Sequence, residues 1–378
     1  MKKVKLFVMF SLLLVSLFNL AGCGEKVKVI HISSKEDLLL LQDGGNFILD
    51  NDIDCEGMSL KAVQNFNGSI DGNGHKIHNV KFISENNCFG LIGGTIDSHY
   101  ETNIIKNLAI TDFLIDTNLA SGNNELFIGG IIAFNRGTTI ENCYVDGNIL
   151  IDVNVKDVNI GGISGYINGI TKIKNCYSNV DIKVEVNNSS FSSSTIDVGG
   201  LVGEGHNSKV TCENVLFTGS IDIDTSFTNS LLATVRAGGI YGYADGYNYI
   251  KYSLSTPEKI VCSAYFDKNV YLGALVGHMY EWQKCIEYSY WCDYYDETLS
   301  EEDKKIMCSL YSSKYYYGTN INLYKTNMLQ ENFMKGDYTF KDLNGDTKDS
   351  FLNFDSSIWN FGYMENEKFI YPSLKVFD

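Results

Sequence analysis

Apolar and polar residues alternate along many short segments of this chain. In segments 148–153 and 181–186, every second residue is Ile or Val, and most of the residues between them are polar. A period of two predicts a strand with one buried face and one solvated face. Stretches with a helical period are few, so the pattern predicts an all-β fold.

The strands recur in phase with a repeated glycine motif. The motif Gly-Gly-apolar-x-Gly occurs at 161–165, 199–203 and 238–242, with degenerate copies at 89–93, 129–133 and 273–277. The copies are about 32 to 40 residues apart, a spacing typical of repeat architectures. We expect each glycine pair at a coil corner that requires positive φ or a close backbone approach, and we expect Gly205 and Gly219 to tolerate substitution better. The paired glycines are Gly129, Gly130, Gly161, Gly162, Gly199, Gly200, Gly238 and Gly239.

A second motif, apolar-x-Asn, follows each glycine pair by about 13 to 18 residues. Its asparagines are Asn107, Asn142, Asn175 and Asn214. Asn tolerates left-handed backbone, which suits a coil corner. Each repeat then holds about three short strands, and stacked repeats would bury continuous apolar rows, as in a parallel β-helix. A propeller has repeats of similar length, but the Asn-Gly and Asp-Gly turns of its hairpins are few here.

These motifs resemble the GLUG repeat of bacterial surface proteins, and the resemblance covers most of the chain after its amino-terminal segment. Segments 47–54 and 66–75 resemble the coils that precede such repeats, and Trp359 with 371–374 resembles their closing segment. The resemblance implies a right-handed parallel β-helix in an extracellular, often adhesive protein. GLUG repeats also accompany zinc metallopeptidases that cleave immunoglobulin A. This chain has no His-Glu-x-x-His motif and would be the non-catalytic kind.

The amino terminus has the features of a lipoprotein signal. Three lysines precede the apolar run 6–20, which ends in the sequence Leu20-Ala21-Gly22-Cys23. The run is short for a spanning helix, and the small residues before Cys23 resemble a lipobox. We expect cleavage before Cys23 and a diacylglyceryl anchor, such as palmitate chains, on its thiol. The protein would then be exported and would face outward from the cell membrane or outer membrane. An uncleaved anchor with an incidental cysteine is the alternative.

The chain divides into four predicted segments: a signal peptide at 1–22, a lipid-tethered linker at 23–32, a β-helix with GLUG-like repeats at 33–295 and a C-terminal capping segment at 296–378. An open parallel stack needs a lid at each end, because uncovered strands promote aggregation. Ser33 and Glu36 have capping-box spacing before the apolar run 37–41, which predicts a short helical lid. The segment 300–309 has a similar pattern and predicts the second lid.

The charge balance narrows the possible partners. The formal net charge is −16, which argues against nucleic acid as a partner. Arginine occurs only at Arg136 and Arg236, whereas a protein that grips phosphates or polyuronates normally carries more. We therefore expect two kinds of partner: the membrane, through the lipid anchor, and an extracellular glycan or protein ligand.

The chain has 10 cysteines, which in an exported protein suggests disulfides. Cys143 and Cys176 occupy the same position in successive repeats, where the geometry for a bridge is poor. They are predicted to be buried free thiols. Cys285, Cys292 and Cys308 lie outside the repeats and could form a disulfide, although the sequence does not select the pair.

Candidate metal chemistry is confined to one segment near the C-terminus. Asp342, Asn344 and Asp346 lie at alternate positions, as in an EF-hand or dockerin calcium loop. Thr347 and Asn353 replace the glycine and the closing acid of such a loop, so a polar surface loop is the favoured interpretation. Apart from calcium at this loop, the sequence predicts no cofactor.

The pattern favours a cell-surface lipoprotein with a non-catalytic binding or adhesion role toward a glycan or protein. A surface polysaccharide lyase or glycoside hydrolase is the first alternative, and a structural spacer is the second. The acidic residues on the strands alternate with apolar ones, as on an ordinary solvated face, and no catalytic pair stands out. Aromatic side chains exposed in a line would favour glycan binding, whereas clustered carboxylates with a base in a cleft would favour an enzyme.

Overall fold

Parallel strands stack coil upon coil into a β-solenoid, which confirms the predicted all-β class and parallel β-helix architecture. Successive coils pair in parallel along their whole strands, so the antiparallel blades of a propeller are excluded for this stack. The computed structural model describes residues 28–96, 103–119, 125–186, 193–225, 233–264, 270–280, 286–287, 289–293, 322–325, 340–341, 347–348, 357–360, 363–365, 368–370 and 373–378.

A full coil contributes to four parallel sheets, numbered here in the order in which the chain passes through them. Sheet 1 contains Cys88–Phe89, Glu125–Gly129, Asp157–Gly161, Ser194–Gly199, Ala233–Gly238 and Val270–Gly273. Sheet 2 contains Ile92–Gly94, Ile132–Asn135, Ser164–Ile167, the first part of Val202–Glu213, Tyr241–Gly246 and Val276–Tyr280. The short turn between these two sheets is formed by the glycine motif of each repeat.

Sheets 3 and 4 complete the coil. Sheet 3 contains Val29–Ile32, Gly45–Leu49, Gly68–Asp71, Asn103–Lys106, Thr138–Glu141, Ile170–Lys174, the last part of Val202–Glu213, Tyr249–Lys251 and Ile286–Glu287. Sheet 4 contains Ile53–Asp54, Ser59–Lys61, Lys76–His78, Lys81–Ile83, Ala109–Leu119, Tyr144–Val153, Tyr177–Val186, Leu216–Phe217, Ser220–Thr225, Leu254–Ser255, Lys259–Ala264, Tyr290–Asp293 and Asn322–Lys325. The strand Val29–Ile32 pairs with Gly45–Leu49, so the stack begins within the segment 23–32 predicted as a linker.

Inward-facing side chains form the core in continuous rows. In sheet 3 one such row is Ile105, Ile140, Ile173, Cys212 and Ile250, each fully buried and each paired in register with the next coil. A single coil cannot shield this face from water, so burial depends on the neighbours.

An asparagine ladder occupies the corner between sheets 3 and 4. Asn107, Asn142, Asn175 and Asn214 have φ values of 52°, 52°, 51° and 54°, the left-handed conformation expected of a corner. The Nδ2 atoms of Asn142, Asn175 and Asn214 each donate a hydrogen bond to Oδ1 of the preceding asparagine in the ladder, over 3.0, 3.1 and 3.2 Å. Asn107 Nδ2 donates to Asp71 Oδ1 over 3.0 Å. The ladder supplies polar partners within a corner that packs against the core.

The paired glycines lie where sheet 1 turns into sheet 2. A Cβ atom at Gly199 or Gly200 would overlap main-chain atoms of its own coil or the next, so the predicted close approach is confirmed. Neither residue has positive φ. The tolerance predicted for Gly219 is wrong, because its Cβ would overlap the main chain of the preceding coil. At Gly205 a Cβ would meet only a side chain, 3.0 Å from Asn248 Oδ1. An added Cβ atom would also overlap neighbouring atoms at the other paired glycines, which are Gly129, Gly130, Gly161, Gly162, Gly238 and Gly239.

Cys143 and Cys176 are buried free thiols, as predicted. Their Sγ atoms donate to the carbonyl oxygens of Glu141 and Lys174 over 3.3 and 3.2 Å. Burial, reinforced by the hydrogen bond with Cys143, raises the pKa of the Cys176 thiol. Both side chains act as small apolar groups of the core, because both are fully buried.

A short helical lid covers the first coils, as predicted. The 3-10 helix Asp37–Asp43 buries two of its leucines. Its capping pair differs from the expected Ser33 and Glu36. The Asp37 amide donates to Ser34 Oγ over 3.3 Å, and the Ser34 amide donates to Asp37 Oδ2 over 3.0 Å. This reciprocal pair is a capping box displaced by one residue.

The described part of the closing segment packs near the start of the solenoid. Trp359 is fully buried and its strand pairs with Ser373–Leu374 in antiparallel fashion. A Cβ at Gly74, in a turn between sheets 3 and 4, would lie 2.5 Å from the carbonyl oxygen of Val376. The last residues of the chain therefore lie against an early coil. Two further antiparallel pairs are Phe340–Lys341 with Thr347–Lys348 and Tyr363–Glu365 with Lys368–Ile370.

Several predictions concern residues outside the described ranges. They are lipidation at Cys23, the second lid at 300–309, calcium binding by Asp342, Asn344 and Asp346, and the positions of Cys285 and Cys308. In the part of the chain that is described, no helix combines the length and apolarity needed to cross a membrane.

Candidate ligand-binding seam

Two rows of outward side chains run side by side where sheet 1 turns into sheet 2. Each row takes one residue from each of five successive coils, in register. The leading row, on sheet 1, is Phe127, Asn159, Asp197, Arg236 and Tyr271. The trailing row, on sheet 2, is Phe134, Tyr166, Glu204, Tyr243 and His278. The surface between these rows is called the seam below.

The seam is re-entrant. Outward side chains diverge at a convex corner, but here the two rows touch. The ring centroids of Phe127 and Phe134 are 5.0 Å apart, and those of Tyr271 and His278 are 4.9 Å apart. The glycine pairs permit this contact because they bring the two backbones together with no side chain between them. Side chains of both rows therefore pack into one continuous strip that follows the solenoid axis.

Aromatic rings line the N-terminal end of the seam. Phe134 and Tyr166 are stacked, with centroids 5.0 Å apart and planes inclined by 26°. Phe127 approaches Tyr166 at 5.3 Å, and the Arg136 guanidinium carbon lies 4.6 Å from the Phe134 centroid. The three rings are partly exposed, so part of each ring surface is open to a ligand.

A buried ion pair occupies the middle of the seam. Arg236 Nε and Nη2 donate to Asp197 Oδ1 and Oδ2 over 2.5 and 2.6 Å. The Arg236 guanidinium carbon also lies 3.5 Å from the Tyr243 centroid. Burial acts to lower the pKa of Arg236, but the Asp197 carboxylate outweighs it, and the pKa is raised. The bidentate geometry offsets the cost of removing both charges from water.

Glu204 stands beside this ion pair, with 12% of its side chain exposed. Burial raises the pKa of Glu204 to about 8, and the carboxylate of Asp197 adds to the shift. His206 Nδ1 lies 3.2 Å from Glu204 Oε1. The protonated form of the Glu204 carboxyl, which can donate a hydrogen bond, is therefore favoured well above the ordinary pH range of a glutamate.

Two further polar groups belong to the rows. Burial, followed by the charge of Arg236, lowers the pKa of His278, so its ring is neutral at physiological pH. Within the described ranges, Asn159 Oδ1 and His278 Nδ1 are buried and have no hydrogen-bond partner. The seam thus combines partly exposed rings with buried polar groups and one internally compensated ion pair.

Of the residues selected from the sequence, the structure brings the paired glycines and both arginines to the seam. The rows themselves were missed, although a signal exists. Row residues lie two positions before and five positions after the first glycine of each pair. Among the described residues, no group of three or more His, Cys, Asp or Glu side chains could hold a metal ion.

These features define a parallel β-solenoid with a continuous strip of converging side chains along one corner. No protein-family model matches the sequence, and no curated protein matches it. The fold is similar to the crystal structure of a candidate immunoglobulin A1 protease from Bacteroides ovatus, with a TM-score of 0.54. The two sequences are 18% identical, and the alignment covers 86% of this chain and 93% of that one. At this identity the similarity concerns the fold and carries no activity across.

Proposed function

We propose that this protein is a lipid-anchored cell-surface protein that binds an extracellular glycan or protein along the seam, without catalysis. The observation that carries the proposal is the pair of in-register rows, which bring partly exposed rings and polar side chains together along one corner of the solenoid. Ligand sites typically combine apolar rings with a few placed polar groups. The GLUG-like repeats and the lipobox at Cys23 support display outside the cell.

Binding is tested with the full-length protein, purified in detergent, on an array of glycans and extracellular proteins. Immunoglobulin A1 is included because the solved structure with a similar fold is described as a candidate immunoglobulin A1 protease. We expect at least one ligand, and we expect Tyr166→Ala to weaken its binding by about tenfold through loss of a ring contact. Tyr144→Ala is the matched control, because Tyr144 is also half-buried and packs against another tyrosine ring, 4.9 Å away, but lies on sheet 4. If the protein bound no ligand on the array, the result would instead favour a role as a structural spacer.

The anchor is tested separately. Metabolic labelling with a fatty-acid analogue should label the wild-type protein and not Cys23→Ala, because the Cys23 thiol is the proposed acylation point. The variant should be released or retained as an uncleaved precursor. Label retained by Cys23→Ala would overturn the anchor while leaving the binding proposal intact.

A second function, hydrolysis of a glycan, is favoured by one observation. Glu204 is a carboxyl with a raised pKa that lies between Tyr166 and Tyr243 in the trailing row, as a general acid could. A hydrolase also requires a second carboxylate in a defined position across the sugar, and Asp197 is held by Arg236. Release of reducing sugar by the wild type and not by Glu204→Gln would establish this alternative.

A further inference from the structure

The helical lid at the N-terminal end of the solenoid carries two adjacent exposed leucines. Leu38 and Leu41 of its 3-10 helix are buried in the core. Side chains three residues apart share a face of a 3-10 helix, so the two leucines between them point away from that face. Leu39 is 57% exposed and Leu40 is 40% exposed. This pair, Leu39 and Leu40, is called the lid tip below.

Hydrogen bonds at both ends of the lid hold the lid tip in place. Gln42 Nε2 donates to the carbonyl oxygen of Lys61 over 3.0 Å, and Lys35 Nζ donates to Glu56 Oε2 over 2.5 Å. Beside the lid, Val29 is also exposed. It lies on the terminal strand of sheet 3, and no other described strand pairs with the outer side of that strand. Three exposed apolar side chains therefore occur at the first end of the stack.

This end of the stack is also the end nearest the proposed lipid anchor. Val29 follows Cys23 by six positions. A chain spans at most about 3.6 Å per residue, so the first strand lies within roughly 22 Å of the anchored cysteine. Sheet 3 has nine strands in the described part of the chain, so at about 4.8 Å per strand its last strand lies roughly 38 Å from its first. An anchor at Cys23 therefore tethers the solenoid by its lid end.

The size of this apolar surface suits a bilayer better than a protein partner. A stable protein interface takes about 20 to 30 residues from each side, far more than the three found here. A tethered domain needs only a weak contact, because its effective concentration at the nearby surface is on the order of millimolar. The formal net charge of −16 repels anionic headgroups, so a contact with lipid has to come from apolar side chains.

We propose that the lid tip, together with Val29, inserts into the interfacial layer of the membrane that holds the lipid anchor. The inference rests on the anchor of the proposed function and adds a direct contact between protein and lipid. Because the contact and the anchor are at the same end, the solenoid projects from the bilayer with its lid toward the lipid and its last coils farthest away. Side chains on the long sides of the solenoid, such as Leu150 on sheet 4, then stay out of the lipid.

The test is photo-crosslinking of the full-length acylated protein in phosphatidylcholine vesicles that contain a lipid with a diazirine near the glycerol end of one acyl chain. Trypsin releases the lid tip in peptide 36–61 and Leu150, which is 39% exposed, in peptide 137–156. We expect lipid on peptide 36–61 and not on peptide 137–156. The double variant Leu39→Gln/Leu40→Gln should reduce crosslinking of peptide 36–61 by about tenfold, because two apolar side chains leave the lipid. The matched control Leu150→Gln should leave it unchanged, and thermal melting checks that each variant is folded.

The remaining outcomes separate this inference from the proposed function. Acylated protein with no lipid on peptide 36–61, or with as much on peptide 137–156, would overturn the membrane contact and leave the anchor intact. Wild-type protein that takes up no fatty-acid label would overturn the anchor and this inference together. Crosslinking that disappears at high salt would indicate attraction by charge and would overturn insertion of the leucines. A dimer that the double variant dissociates, with no lipid crosslinked to the wild type, would assign the lid tip to a second copy of the chain instead.

Discussion

At the scale of single residues, the seam depends on burial that the sequence does not display. Asp224 follows Ile223 on an alternating strand and fits the pattern of a solvated face, whereas Glu204 lies between Gly203 and Gly205 and carries no sequence signal of burial. In the fold Asp224 is exposed, whereas Glu204 packs beside the buried Asp197 and Arg236. This difference arises from contacts between successive coils, so the alternation alone could not predict it.

Glu204 should make folding less favourable as pH rises. The unfolded chain ionises this carboxyl near its ordinary pKa of 4.5, whereas the folded protein retains the proton up to about 8. Its stabilising contribution is therefore complete below 4.5 and is lost as pH rises to 8. Between about pH 5 and pH 8.5, the wild type should lose on the order of 2–4 kcal/mol more than Glu204→Gln. Denaturant unfolding at both pH values measures this, and identical pH dependence in the two proteins would contradict it.

Asn175 should be costly to replace, because it joins the ladder to the coils on both sides. Asn175→Ala places Ala in left-handed backbone and leaves Asn214 Nδ2 and Asn142 Oδ1 without their partners. We expect a loss of about 2–4 kcal/mol in the free energy of unfolding. Asn148→Ala, at an exposed position of sheet 4, should change it by less than about 0.5 kcal/mol.

A second variant separates the two causes. Asn175→Gly retains the left-handed backbone and removes only the amide, so its cost should be smaller than that of Asn175→Ala. If Asn175→Ala and Asn148→Ala were equally mild, the ladder would not contribute to stability.

At the scale of elements, the repeat motifs predicted where the corners lie but not how the side chains pack at the corner between sheets 1 and 2. The glycine pairs and the asparagines fall at two turns of each coil, as their spacing predicts. Positive φ belongs to the asparagine corner, while the glycine pairs serve close packing of sheets 1 and 2. Because that packing makes the corner re-entrant, the side chains flanking it converge. Sequence spacing identifies a turn without giving its angle.

Gly200 tests the packing of this corner. Gly200→Ala should lower the free energy of unfolding by about 3 kcal/mol, because its Cβ would overlap the Gly239 carbonyl oxygen and the Phe217 ring. Gly94→Ala is the matched control in sheet 2, since its Cβ would lie 3.7 Å from the nearest atom, the carbonyl oxygen of Phe134. It should change stability by less than about 0.5 kcal/mol. Thermal and denaturant unfolding report both. Comparable effects from the two substitutions would contradict the close-packed corner.

At the scale of the whole molecule, the all-β parallel stack could be predicted, because matching positions of successive repeats indicate which residues pair between coils. Successive strands such as Tyr144–Val153 and Tyr177–Val186 pair over their full length, as their matching patterns indicate. The position of the closing segment could not be predicted in this way. Contact of Val376 with the turn at Gly74 joins regions without any shared repeat.

The seam as the ligand-binding surface is tested most directly by hydroxyl-radical footprinting of the full-length protein, with and without the ligand that binds best on the array. Oxidation of Tyr166 and Tyr271 should fall when the ligand is present, because the ligand would cover both rings. Oxidation of Tyr144 on sheet 4 should stay unchanged. Unchanged oxidation of Tyr166 and Tyr271, with protection elsewhere on the solenoid, would contradict the account.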